Sequence, residues 1–107
     1  MPVGILLALA ISSEVAATIS LRYSHGFSEL VPSVIVVAGY ATSFFLLSLV
    51  LKELSVGTTY AIWAGAGTAA IAVIGMLALG EPATALKLAS IALIIAGVIG
   101  LNLTAAH

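Results

Sequence analysis

The chain has 107 residues, 63% of them hydrophobic and only 7% charged, with a mean hydropathy of +1.32. A water-soluble domain carries about 25% charged residues, so this composition belongs to the membrane class. A net charge of −1 supplies no basic stripe for nucleic acid, and the absence of cysteine excludes disulfides and thiolate metal sites.

Charged residues punctuate the sequence. Arg22, Glu29, Lys52, Glu53, Glu81 and Lys87 fall in three clusters, and Glu14 alone lies inside an apolar run. Between the clusters run four segments, 3–21, 31–51, 56–79 and 86–103, each long enough as a helix to cross a hydrocarbon core of ~30 Å. Backbone polar groups in lipid must bond within their own segment, and barrel strands would be half as long, so the segments are expected to be helices. The prediction is an all-α membrane protein with one four-helix transmembrane domain over residues 1–107. The first run lacks a basic leader and contains Glu14, so a cleaved signal peptide is not expected.

The first span, "LLALAISSEVAATISL", places Glu14 near mid-depth, where a charge costs roughly 2.5–3.5 kcal/mol on insertion scales. Helical spacing surrounds it with Leu7, Ala10, Ile11, Ala17, Thr18 and Leu21, a face small enough to leave room beside the carboxyl. A purely structural acid would be bonded to Ser13, Thr18 or a neighbouring helix. A functional one would take a proton in one state and a cation in another, as intramembrane acids on transport pathways do. No basic residue inside the spans can pair with it, so its partner is expected from outside: a proton, a metal ion or an organic cation. The spans hold no second carboxylate and no histidine, so a metal site is not expected.

The loop "RYSHGFSELVPS" follows, with Gly26 and with Pro32 suited to the first turn of the next helix, as Pro82 is to the fourth. His25 there and His107 at the far end read as solvated. In the second span Tyr40 and Phe44 stand four apart, and in the third Tyr60 and Trp63 stand three apart on one face. Aromatic rings attract desolvated cations, which favours an organic cation over a metal. Tyr60 is shallow enough to be an interfacial belt residue instead. "AGAGTAA" brings Gly65 and Gly67, read either as a kink or as close helix packing. In the fourth span Ala85, Ala89, Ala92, Ala96 and Gly100 form a small-residue stripe with Gly97 beside it, read as a packing or dimerisation element. Glu29, Glu53, Glu81, Lys52 and Lys87 read as interfacial.

Short links make neighbouring helices antiparallel. Arg22 and Lys87 then lie on one side of the membrane and Lys52 on the other, leaving almost no Lys/Arg bias to fix orientation. Insertion both ways is expected, and it permits an antiparallel dimer equivalent to the inverted repeats of larger transporters.

With "EVAAT", "RYSHGFSELVPS" and "GTTYAIWAGAGT" in place, essentially the whole chain resembles the small multidrug resistance family. That resemblance implies an antiparallel, dual-topology homodimer in the bacterial inner membrane that exchanges protons for cationic compounds, with no cofactor and no enzymatic step. It implies Glu14 as the shared proton and substrate site, and Ala10, Ile11, Thr18, Tyr40, Ser43, Phe44, Tyr60 and Trp63 as pocket residues. It further implies a kink at Gly65 and Gly67, and a dimer contact through Ala92, Ala96, Gly97 and Gly100. Guanidinium exporters of the family typically carry Trp three residues after the acid and Lys late in the fourth helix. Ala17 and, approximately, Asn102 stand there, as in the quaternary-ammonium branch. Ser90 departs from a Gly usual in the fourth helix. Alternatives are a guanidinium or polyamine exporter of the same family, a non-transporting subunit of a paired transporter, and a lipid-carrier flippase.

Overall fold

The structure, a computed structural model, describes residues 2–105. It contains four helices: α1 (Val3–Tyr23), α2 (Leu30–Val50), α3 (Val56–Ala78) and α4 (Ala85–Ala105). No strand occurs among the described residues. All four helices are long and apolar enough to cross a membrane. They match the predicted spans to within two residues at each end, because charge clusters and turn residues bound the apolar runs. His107 lies outside the described residues.

The helices pack as two compact hairpins, one ending at Glu53 and the other beginning at Leu54. In the first, contacts run antiparallel: Ala10 meets Ser43, Ala17 meets Gly39 and Thr18 meets Tyr40. The connecting loop turns on Ser24, which is fully buried. Its hydroxyl donates to the Leu21 carbonyl (2.8 Å) and accepts from the Phe27 N–H (3.2 Å). Its carbonyl accepts from the N–H groups of Ser28 (2.9 Å) and Glu29 (3.1 Å). These bonds hold His25, Gly26 and Phe27 at φ of 47°, 72° and 66°. Left-handed backbone costs a non-glycine residue roughly 1–2 kcal/mol, and the Ser24 bonds offset it. His25 is exposed, as a solvated loop residue should be.

In the second hairpin both helices begin with a side-chain cap. Ser55 accepts from the Thr58 N–H (3.3 Å) at the start of α3, and Thr84 from the Lys87 N–H (3.1 Å) at the start of α4. The Thr84 cap corrects the expectation for Pro82: the helix opens at Ala85, so Pro82 stands in the turn before it, whereas Pro32 does lie in the first turn of α2. α3 ends where Gly80, at φ 71°, redirects the chain so that the Glu81 N–H returns to the Gly75 carbonyl (3.0 Å). The Glu81 carboxylate lies over Gly75, in the space a Cβ there would fill, and pairs with Lys87 at 3.8 Å.

Candidate functional site

The α1–α2 contact is built from small residues. Ala17 is wholly buried, and a Cβ on Gly39 would lie 2.8 Å from the Ala17 Cβ and 3.1 Å from the Ser13 carbonyl oxygen. Only glycine lets the two helix backbones come this close. That approach allows two hydrogen bonds to cross between the helices, one on either side of Glu14.

On one side, the buried Ser43 hydroxyl donates to the Ala10 carbonyl at 2.7 Å. Within a helix that carbonyl also receives the N–H of residue 14, so Ser43 grips the turn that carries the acid. On the other side, Thr18 Oγ1 donates to Glu14 Oε1 at 2.8 Å and lies 2.7 Å from the Tyr40 hydroxyl. A threonine hydroxyl has one proton. While Glu14 is ionised that proton is donated to it, and the Tyr40 hydroxyl is then the donor to Thr18. The result is a hydrogen-bonded chain linking Tyr40, Thr18 and Glu14, directed towards the carboxylate while Glu14 is ionised, with all three side chains partly buried.

The sequence singled out Glu14 as the lone mid-span acid, Thr18 as its helical neighbour and Tyr40 as a mid-span aromatic, and the structure brings these three together. Ala10 and Ser43 are fully buried in the helix contact, so in this hairpin they hold the acid-bearing turn rather than line open space. Ile11 is partly exposed, and Phe44 is 57% exposed on α2. In the second hairpin, Trp63 is partly buried with its ring centroid 5.6 Å from that of Tyr60, the planes tilted by 59°. Tyr60 itself is 64% exposed. Such a pair is worth about 0.5–1.5 kcal/mol beyond its area and presents two π-faces at one position.

α3 runs as one helix through Gly65 and Gly67. A Cβ on Gly65 would lie 2.7 Å from Val98 Cγ2, so the role visible for Gly65 is close packing on α4. Ala92, Ala96, Gly97 and Gly100 are exposed in the single chain, and nothing lies within 4 Å of a Cβ built on either glycine. Two residues went unnoticed in the sequence. Gly39 is one, signalled by the only glycine of the second span, immediately before Tyr40. The other is Thr59, whose buried hydroxyl has no hydrogen-bond partner among the described residues.

The sequence model of the family described as Small Multidrug Resistance protein matches residues 4–94. The chain belongs to the small multidrug resistance family. Members similar to it include the "Guanidinium exporter" of Escherichia coli (strain K12), 47% identical over 100 residues, covering 94% of this chain and 95% of that protein. Those of Salmonella typhimurium (48% over 101 residues, 94% and 96%) and Yersinia pestis (46% over 99 residues, 92% and 95%) carry the same name. With four spans, this small multidrug resistance protein is a multi-pass protein of the bacterial inner membrane. These relatives are named for guanidinium, the alternative substrate class in the sequence reading rather than the quaternary ammonium first expected.

Proposed function

We propose that this chain exports small organic cations in exchange for protons, with guanidinium-type compounds as the first substrate class. The observation that carries the reading is the placement of Glu14. It is a lone mid-span acid, partly buried, with no cationic side chain bonded to it among the described residues and one carboxylate oxygen accepting from Thr18. Such a group binds either a proton or a cation. The names of relatives at 46–48% identity favour guanidinium compounds. A planar guanidinium suits a carboxylate, because it offers donors in a fixed fork.

In this reading two copies insert in opposite orientations, and their hairpins form one transmembrane assembly. The exposed stripe of Ala92, Ala96, Gly97 and Gly100 makes the contact between copies, and Tyr60, Trp63 and Tyr40 supply aromatic surface for the cation. A cation from the cytoplasm displaces protons from the Glu14 pair. The assembly changes the side to which it opens, using small-residue freedom near Gly65 and Gly67, and external protons then displace the cation. No covalent bond is made or broken.

A second reading, quaternary-ammonium export, is favoured by Ala17. Family exporters of guanidinium typically carry Trp there, and the wholly buried Ala17 methyl faces α2 with no room for an indole. Proteoliposomes with an imposed proton gradient test both. Guanidinium uptake should exceed that of tetraphenylphosphonium or a quaternary ammonium, and the reverse order selects the second reading. Glu14→Gln should abolish substrate-induced proton release, and full release from that variant would remove Glu14 from the exchange.

A further inference from the structure

We infer that Thr18 is a reversible hydrogen-bond link through which Tyr40, on the neighbouring helix, registers whether Glu14 holds a proton. This deepens the proposed function and rests on it for the role of Glu14. It concerns the hairpin's own wiring.

The donor inventory carries the inference. An ionised carboxylate only accepts, so with Glu14 charged the Thr18 proton is committed to Oε1 at 2.8 Å. The 2.7 Å contact between Thr18 Oγ1 and the Tyr40 hydroxyl then has one possible polarity, with Tyr40 donating. Protonation of Glu14 creates a new donor at the other end of the chain. The acid O–H can now donate to Thr18, whose own proton turns towards Tyr40. Tyr40 becomes the acceptor, and its proton is released to seek another partner. Each change is a rotation about a C–O bond, and no proton leaves its oxygen.

Energetics favour the switch. A hydrogen bond to a charged acceptor is roughly twice as strong as a neutral one, so protonation removes the bias that holds the first polarity. Successive bonds in a chain polarise one another, so the change at Glu14 is felt at the second link. Among the described residues of this hairpin no other ionisable group is hydrogen-bonded to Glu14, Thr18 or Tyr40. α2 carries no titratable side chain but Tyr40, and on α1 the others are Arg22 and Tyr23 at its loop end. His25 and Glu29 lie in the loop beyond, and Lys52 and Glu53 after α2. A cation bound at Glu14 keeps the carboxylate charged, so Tyr40 stays a donor. The proton-loaded and cation-loaded forms therefore differ at α2 as well as at the acid. Thr18 is in this sense a positioning residue acting through Glu14.

The test uses the full chain in lipid bilayers, with ¹³C at tyrosine Cζ and glutamate Cδ. Tyr40 is assigned by its loss in Tyr40→Phe. As pH is stepped, the Tyr40 Cζ signal should move with the same midpoint as the Glu14 Cδ signal. The movement should persist in Thr18→Ser, which keeps the hydroxyl, and disappear in Thr18→Val, which keeps only the shape. A Tyr40 signal that stays flat through the Glu14 transition, or that still moves fully in Thr18→Val, overturns the link. Should Thr18→Val fail to fold, the infrared carboxylate band of Glu14 decides between wild type and Tyr40→Phe. A shifted band supports the chain, and an unchanged band overturns it. Proton-coupled transport surviving in Glu14→Gln would instead sink the functional reading while leaving the spectroscopic link standing.

Discussion

Replacing Gly39 with alanine should separate α1 from α2 and loosen the setting of Glu14. The new Cβ would stand 2.8 Å from the Ala17 Cβ and 3.1 Å from the Ser13 carbonyl. Neither group can swing aside, since one is the methyl of the buried Ala17 and the other is backbone. Restoring ordinary carbon contact of about 3.5–4.0 Å requires the helices to part by roughly 0.7–1.2 Å. Two interhelical hydrogen bonds, Ser43 to Ala10 and Tyr40 to Thr18, are each 2.7 Å long. That displacement carries both beyond the roughly 2.5–3.0 Å range of O–H···O bonds. Interhelical hydrogen bonds in membranes average about 0.6 kcal/mol, with a maximum near 1.7, and overpacking costs typically 1–3 kcal/mol. The better helix propensity of alanine returns at most about 1 kcal/mol. The net expectation is a loss of roughly 1–3 kcal/mol in an unfolding titration in mixed micelles. Ala17→Gly in the same chain should recover part of the loss, because the Ser13 contact remains. Stability of Gly39→Ala within about 0.5 kcal/mol of wild type, or no coupling in the Ala17–Gly39 double-mutant cycle, would refute this account.

The same substitution at Gly75 should be tolerated. Its Cβ would meet the Glu81 carboxylate, the far end of a flexible and 43% exposed side chain that can turn away. The cost is the exposed Glu81–Lys87 pair, worth about 0–1 kcal/mol, and it should shrink further in high salt. Gly97→Leu should leave each hairpin folded, since nothing lies near a Cβ at Gly97 in the single chain. If α4 mediates dimerisation, this variant should lower the dimer fraction measured by crosslinking or fluorescence transfer in liposomes, and an unchanged fraction would exclude Gly97 from the contact.

The four helices were legible because each apolar run is bounded by charges and turn residues. Glu14 was legible because it is the lone acid inside a run. Thr18 could be read as its partner, since four residues apart on a helix means adjacent on one face. Tyr40 could be singled out as a mid-span aromatic, but its bond to Thr18 could not. α1 and α2 do not segregate polar from apolar residues onto opposite faces, so no amphipathic stripe shows which faces meet or in what register. Register here rests on Gly39 and Ala17, two small residues whose complementarity appears only when the helices are docked. Ser43 was placed in the pocket by the family resemblance, and its bond to the Ala10 carbonyl likewise shows only once the helices are docked. At Pro82 the capping strength of Thr84, two residues later, decided where α4 begins.

These pieces explain why the acid sits beside the close approach of α1 and α2 at Gly39. In lipid no water can satisfy an ionised carboxylate, so its hydrogen bonds must be built into the protein. α1 alone supplies one, from Thr18, and a single serine- or threonine-type donor is free to rotate away. Tyr40 donating to Thr18 from α2 occupies the acceptor side of that hydroxyl and keeps its proton pointed at Glu14. Gly39, the residue immediately before Tyr40, is what brings α2 near enough to do so. The small seam and the polar chain are therefore one device. Widening the seam by the breadth of a methyl group leaves Glu14 in place but removes the group that orients its donor.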